Sequence, residues 1–152
     1  LESQKRNHSQ LKNILSQVPE ISFRRVPDPE GDSHTFLSWF LPGEEITRSV
    51  MSELKAQNLA GGHFYWYDNN WHYIRKWDHL KTGVTLNKLS DEHKKAVIQH
   101  ANKKFIQSDA VMSRCISTAI SLGWTEEQVK DKGEKMVAVI KKILKQSTIT
   151  AG

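Results

Sequence analysis

The segment Gly61 to His79, GGHFYWYDNNWHYIRKWDH, gathers Trp66, Trp71, Trp77, all three tyrosines and three of the seven histidines. Its rings alternate with His63, Asp68, Asn69, Asn70, His72, Arg75 and Asp78. A core strand or helix sends its aromatics to one face, whereas this interleaving puts amphipathic groups on every side. Such a surface suits something polar and flat, or another protein. Two readings stand here: a seam where domains pack, and a wall that faces a ligand.

Other constellations are thinner. His63, His72 and His79 are spaced more loosely than the pairs about two to five residues apart that usually mark zinc, so a hydrogen-bonding or substrate-facing role suits them better. Gly61-Gly62 lacks the GxGxxG and Walker patterns, and nucleotide folds fall away. Ser52-Glu53-Leu54-Lys55 spells Ser-x-x-Lys, but Leu54 belongs to an apolar helix stripe and no companion motif supports it. Arg114 lies within the expected strand MSRCIST. There it either pairs with an acid of the sheet or stands out as a fork for a carboxylate. Cys115 has no second cysteine, so no internal disulfide forms and a reducing compartment is its natural home. Met112 and Ile116 mark a buried thiol, and Arg114 is the sole neighbour able to activate it. Asn7-His8-Ser9 is a glycosylation sequon that stays idle without a secretory route.

The elements that must position these residues follow from periodicity. Residues 1–17 read as a helix with Leu11, Ile14, Leu15 and Val18 as its apolar stripe, and Pro19 stops it. Its polar front end is expected to continue a longer helix that packs on something outside this chain. Ile21 to Val26 and His34 to Leu41 read as adjacent strands, joined by the turn-rich Pro27 to Asp32. A helix opens after Pro42-Gly43, with Ile46, Val50, Met51 and Leu54 at helical spacing, and His63 to Tyr67 returns as a third strand. Ser90 is an expected N-cap for a helix to Phe105, Val111 to Thr118 an expected fourth strand, and Thr125 the cap of a last helix. Residues 147–152 read as a frayed tail. The class is α+β: a small antiparallel or mixed sheet of three to four strands flanked by helices.

Composition sets the frame around these elements. The chain has 152 residues, 38% of them hydrophobic and 26% charged, enough for one domain with a modest core. Mean hydropathy is −0.59 and no apolar run approaches the roughly 20 residues of a spanning helix, so neither a membrane partner nor disorder is expected. The opening LESQKRNHSQLKNIL is charged where a signal peptide would be apolar, and it lacks Met; a piece of a longer chain is expected. A net charge of +5 brings nucleic acid to mind. The lysines from Lys94 to Lys104 and from Lys130 to Lys145 spread over helix faces, however, which is the pattern of solvation.

Taken in order, the pieces resemble the C-terminal small domain of the pyridoxal-phosphate (PLP) sugar aminotransferases of the DegT/DnrJ/StrS family, which are fold-type I PLP transferases. The resemblance covers nearly the whole chain. It is carried by ESQKRNHSQLKNIL, FRRVPDPEGDSHTFLSWFLP, EEITRSVMSELKAQNLAGG, HFYWYDNNWHYIRKWDHL and SRCISTAISLGWTEEQVKDKGEKMVAVIKKIL. The fourth of these is especially similar to members that make 8-amino-3,8-dideoxy-manno-octulosonate, a lipopolysaccharide sugar acid.

The resemblance implies a cytoplasmic parent enzyme, a homodimer, that moves an amino group from an amino acid, commonly glutamate, to a keto-sugar through PLP. It assigns residues 1–18 to a helix entering from a missing N-terminal large domain and 19–146 to the small domain. That large domain would hold the Schiff-base lysine, the acid paired to the pyridine nitrogen and most phosphate contacts. The chain shows no PLP-lysine motif, so no catalytic residue and no cofactor are expected in it alone. Its contribution would be one wall of the cleft. Trp66 and Trp71 would stack on sugar rings, and Asn70, His72 and Tyr73 would hydrogen-bond hydroxyls or a carboxylate. Arg114 occupies a place resembling the strand that presents an arginine to the amino-acid carboxylate in related PLP enzymes. The family wall often carries proline after its His-Tyr pair, and Ile74 stands there instead. Two other classes remain open: a stand-alone glycan- or peptide-binding module, and a basic nucleic-acid-binding domain.

Overall fold

The computed structural model describes residues 2–69 and 72–150. These residues form two compact units, 2–65 with 113–150 and the described residues of 66–112. The first carries an open antiparallel sheet with strand order β1-β2-β4-β3, in which β1 is Ser22–Phe23, β2 Phe36–Phe40, β3 His63–Phe64 and β4 Cys115–Ala119. Helices α1 (Glu2–Leu15), α2 (Glu44–Ala56) and α6 (Glu126–Thr150) accompany it, and the class is α+β as the periodicity predicts.

Register fixes which face is core. Leu37 pairs with Thr118 and Trp39 with Ile116, so these four share one face, and all are buried. Leu11 and Leu15 of α1, Val50 and Leu54 of α2, and Met136 and Ile140 of α6 join that core, each with no exposed surface. On the opposite face, the paired Ser38 and Ser117 hydroxyls lie 2.8 Å apart.

The front of α1 has an intramolecular partner that its polar sequence conceals. Asn7 is fully buried, and its amide donates to the Ser121 and Trp124 carbonyls, both at 3.0 Å. Gln4 donates likewise to the Ile120 carbonyl at 3.1 Å. The inner face of this end is satisfied by the β4–α6 loop. The same burial removes Asn7 as a glycosylation acceptor.

Several boundaries differ from the periodicity, each for a local reason. β1 is short because Arg24 and Arg25 turn out to solvent and Pro27 has no N–H to offer a ladder. β2 starts at Phe36 because His34 adopts left-handed backbone, φ 57°. The third strand ends at Phe64, and Trp66–Asp68 form a 3-10 turn. The stretch expected to begin the fourth strand is helical: Ile106–Met112 is α5, and Arg114 precedes β4 instead of sitting within it. α6 starts from a capping box and continues into the tail expected to fray, to Thr150; residues 151–152 lie outside the described residues. The Gln128 N–H donates to Thr125 Oγ1 at 3.2 Å and the Thr125 N–H to Gln128 Oε1 at 2.9 Å.

The second unit is built from the 3-10 turns Trp66–Asp68 and Ile74–Lys76 with α3 (Asp78–Thr82), α4 (Asp91–Ala101) and α5. Ser90 caps α4 by accepting the His93 N–H, and the helix stops before Phe105 where the Asn102 amide turns back to the Ile98 carbonyl at 2.9 Å. Gly83 ends α3 at φ 66°, where a Cβ would lie 2.8 Å from Lys94 Cγ and 2.9 Å from Ile98 Cδ1; both conformation and space require glycine. Among the described residues, Tyr73 and Ala101 are its buried apolar ones, so the described part of the unit is thinly cored. Among the described residues, no helix is long and apolar enough to cross a membrane.

Candidate functional site

The aromatic segment divides between the two units. In the helical unit, the half-buried Trp66 ring lies 4.3 Å from that of the exposed His72, their planes inclined by 54°. The Tyr67 and Tyr73 rings are 5.4 Å apart. Asn70 and Trp71 lie outside the described residues.

Behind these rings stands a charged spine that the sequence reading missed. Arg75 Nε donates to Asp109 Oδ1 at 2.5 Å and its NH2 group donates to Asp109 Oδ2, the bidentate fork geometry of guanidinium on carboxylate. Tyr73, buried, donates its phenol hydrogen to the same Oδ1. Lys81 Nζ donates to the Arg75 carbonyl, and Lys76 Nζ lies 3.7 Å from Asp68 Oδ1. The electrostatics follow from the contacts. The Arg75 hydrogen bond holds Asp109 below the usual carboxylate range and in return raises Arg75. Burial, with Asp109 second, pushes the Tyr73 phenol up to about 12. Tyr73 is therefore engaged inward as a positioning group, where the sequence placed it on the wall. Asp109 gave no signal in sequence, because its partners are 34 and 36 residues away.

This unit also carries an apolar groove of about 490 Å³, lined by Ile74, Leu80, Leu89, Val97 and the imidazole-bearing His93 and His100. Val84, Leu86, Ile106 and Val111 add exposed apolar surface.

In the sheet unit, His63 Nδ1 lies 2.7 Å from Thr118 Oγ1, which also accepts the Trp39 indole N–H at 3.0 Å. Burial, helped by the Lys132 charge, pulls His63 down to about 4, so the imidazole is neutral at pH 7. Arg114 is half-buried, its guanidinium 5.8 Å from the Phe40 ring centre, while its carbonyl accepts the Leu41 N–H at 3.0 Å. Cys115 is buried and its thiol is pushed up by burial, which makes it a poor nucleophile. Among the described residues, no group of three or more His, Cys, Asp or Glu side chains could hold a metal. Of the six expected site residues, the structure brings Trp66 and His72 together, turns Tyr73 inward behind them, and sets Arg114 beside Phe40. No family model matches the chain.

Proposed function

We propose that this chain is the C-terminal small domain of a PLP-dependent sugar aminotransferase of the DegT/DnrJ/StrS kind. Its parent is a cytoplasmic homodimer that transfers an amino group, from glutamate in the first instance, to a keto-sugar acid destined for lipopolysaccharide or another cell-surface polysaccharide. The observation that carries this reading is the Trp66–His72 pair. It presents an aromatic face beside an exposed hydrogen-bonding ring, the combination that a sugar's apolar face and hydroxyl rim require. The α+β architecture agrees with it, and the apolar surface of the helical unit gives a further domain something to cover.

The residues of this chain do not fit PLP by themselves. Lys132, whose pKa burial lowers, has the character closest to a Schiff-base lysine. Its ammonium already donates to the Gly61 carbonyl at 3.0 Å and lies 5.2 Å from the Trp124 ring centre. The small domain's task is then to bind and orient the sugar and to exclude water, with the chemistry supplied by the large domain.

The reading frame upstream of Leu1 tests the proposal. It requires about 200 to 250 further codons, the size of a large domain, with a lysine able to carry PLP. In the parent enzyme, Trp66→Ala should raise KM for the keto-sugar about tenfold, the worth of roughly 1.4 kcal/mol of ring contact, and leave kcat within about twofold. A stop codon directly upstream, or a parent that binds no PLP, overturns the reading.

A further inference from the structure

A basic cleft of about 370 Å³ opens in the sheet unit, a volume suited to a small ligand. His8 and Lys12 of α1 line one side, Arg24 and Arg25 after β1 another, and Asp32 and His34 of the connector a third. A recess of about 20 Å³ shares His8, Lys12, Arg24 and Asp32 with it and extends to Ser38 of β2. The walls are held in place. The His8 and His34 rings meet edge to face at 5.0 Å, and the Lys12 ammonium lies 5.5 Å from the Phe23 ring centre. Asp32 Oδ1 accepts the His34 N–H at 3.3 Å, and Asp28 Oδ1 accepts the Gly31 N–H at 3.1 Å, so the connector is fixed by two side-chain-to-backbone turns. His34 itself takes left-handed backbone, φ 57°, an unusual conformation for a side chain of its size.

We propose that this cleft binds a small molecule through a phosphoryl group. Lys12, Arg24 and Arg25 line the cleft with one carboxylate, Asp32, so the lining carries a formal surplus of two positive charges before its histidines are counted. A phosphate monoester carries about −1.5 to −2 at pH 7, which matches that surplus where a monocarboxylate does not. Arg24 and Arg25 are exposed, and among the described residues no carboxylate forms an ion pair with either guanidinium. Both forks are therefore available for phosphate oxygens, with Lys12 as a point charge beside them. Burial, then the neighbouring His34, lowers the pKa of His8, while Asp32 opposes them; a dianion in the cleft would stabilise the imidazolium and recruit it as a further donor. The site is independent of the aminotransferase reading and is testable on the 152-residue chain alone.

The experiment is an NMR titration of that chain with inorganic phosphate, following the His8 and His34 imidazoles, with acetate at matched ionic strength as comparison. Both imidazoles should shift saturably with phosphate and not with acetate. Arg24→Ala with Arg25→Ala should weaken binding at least tenfold, and Lys103→Ala with Lys104→Ala, an equal loss of charge on exposed residues, should leave it unchanged. Arg24→Lys with Arg25→Lys keeps the charge without the forks and should fall between wild type and the alanine pair. A saturable response that both alanine pairs weaken equally would mark diffuse attraction and overturn the site. So would the absence of saturation, equal binding of acetate, or a preference for oligonucleotides with a salt dependence that both alanine pairs reduce alike.

Discussion

His63 and Thr118 share a buried hydrogen bond, Nδ1 to Oγ1 at 2.7 Å, that ties β3 to β4 beneath the helices. Thr118 Oγ1 accepts the Trp39 N–H and makes a second bond with His63 Nδ1, whose direction follows the tautomer of the ring. Nε2 is buried without a hydrogen-bond partner, so the arrangement suits a neutral ring and penalises an imidazolium.

Acid sensitivity follows. His63 titrates near 4 when folded and near its ordinary 6.5 when unfolded, so the unfolded chain binds the extra proton across that interval. Its contribution is complete above pH 6.5 and is lost as pH falls towards 4, amounting to roughly 3 kcal/mol. His8, also lowered, adds in the same direction. Denaturant unfolding between pH 7 and 4 should show the loss, and His63→Gln should flatten most of it. An unchanged slope in that variant would place the acid sensitivity elsewhere.

Asn7 supplies a second test. Asn7→Ala leaves the Ser121 and Trp124 carbonyls without their donor and opens a small void, for a cost of about 2 to 3 kcal/mol. Asn7→Asp is nearly isosteric but sets a carboxylate against two carbonyls, and it should cost more than the alanine despite Arg6 3.3 Å from the Asn7 oxygen. Melting temperatures in the reverse order would mean that the void dominates.

The Tyr73–Asp109–Arg75 cluster predicts behaviour confined to the helical unit. Tyr73→Phe removes one donor while Arg75 still holds Asp109, so it should cost only about 1 to 2 kcal/mol, read as faster amide exchange across residues 66–112. Asp109→Asn, which strips Arg75 of its charge partner, should open that unit further. In alkali, the neutral phenol's stabilising effect persists below pH 10 and is lost as pH rises towards 12. An absorbance titration should show one phenol ionising near 12 that vanishes in Tyr73→Phe.

What the sequence made legible, and what it hid, divides by range. Ser90 and Thr125 announced their helices because a cap and its amide lie three residues apart. The run from Val111 misled because short apolar stretches fit strand and helix alike, and α5 won once Asp109 had found Arg75. Asn7 gave no hint of its buried role, since its partners stand 114 and 117 residues away. The basic cleft was hidden for the same reason. Lys12, Arg24 and His34 come from separate elements, and each read alone is an ordinary solvated residue.

Gly133 and Ile14 give the sharpest test of the helix crossing that anchors α1 to the fold. A Cβ at Gly133 would lie 2.9 Å from Ile14 Cγ2 and 3.2 Å from its Cβ, so α6 lacks a side chain where α1 crosses it. Gly133→Ala gains about 1 kcal/mol of helix propensity, but it must displace a β-branched side chain whose χ1 has little freedom, a strain of about 1 to 3 kcal/mol. The net expectation is a loss of about 1 kcal/mol on the same balance of terms. Adding Ile14→Ala relieves the clash, so the double variant should be more stable than the sum of the two single changes predicts. Denaturant midpoints for the four proteins decide it: strict additivity would mean that α1 shifts freely on α6 and that the crossing is not tight.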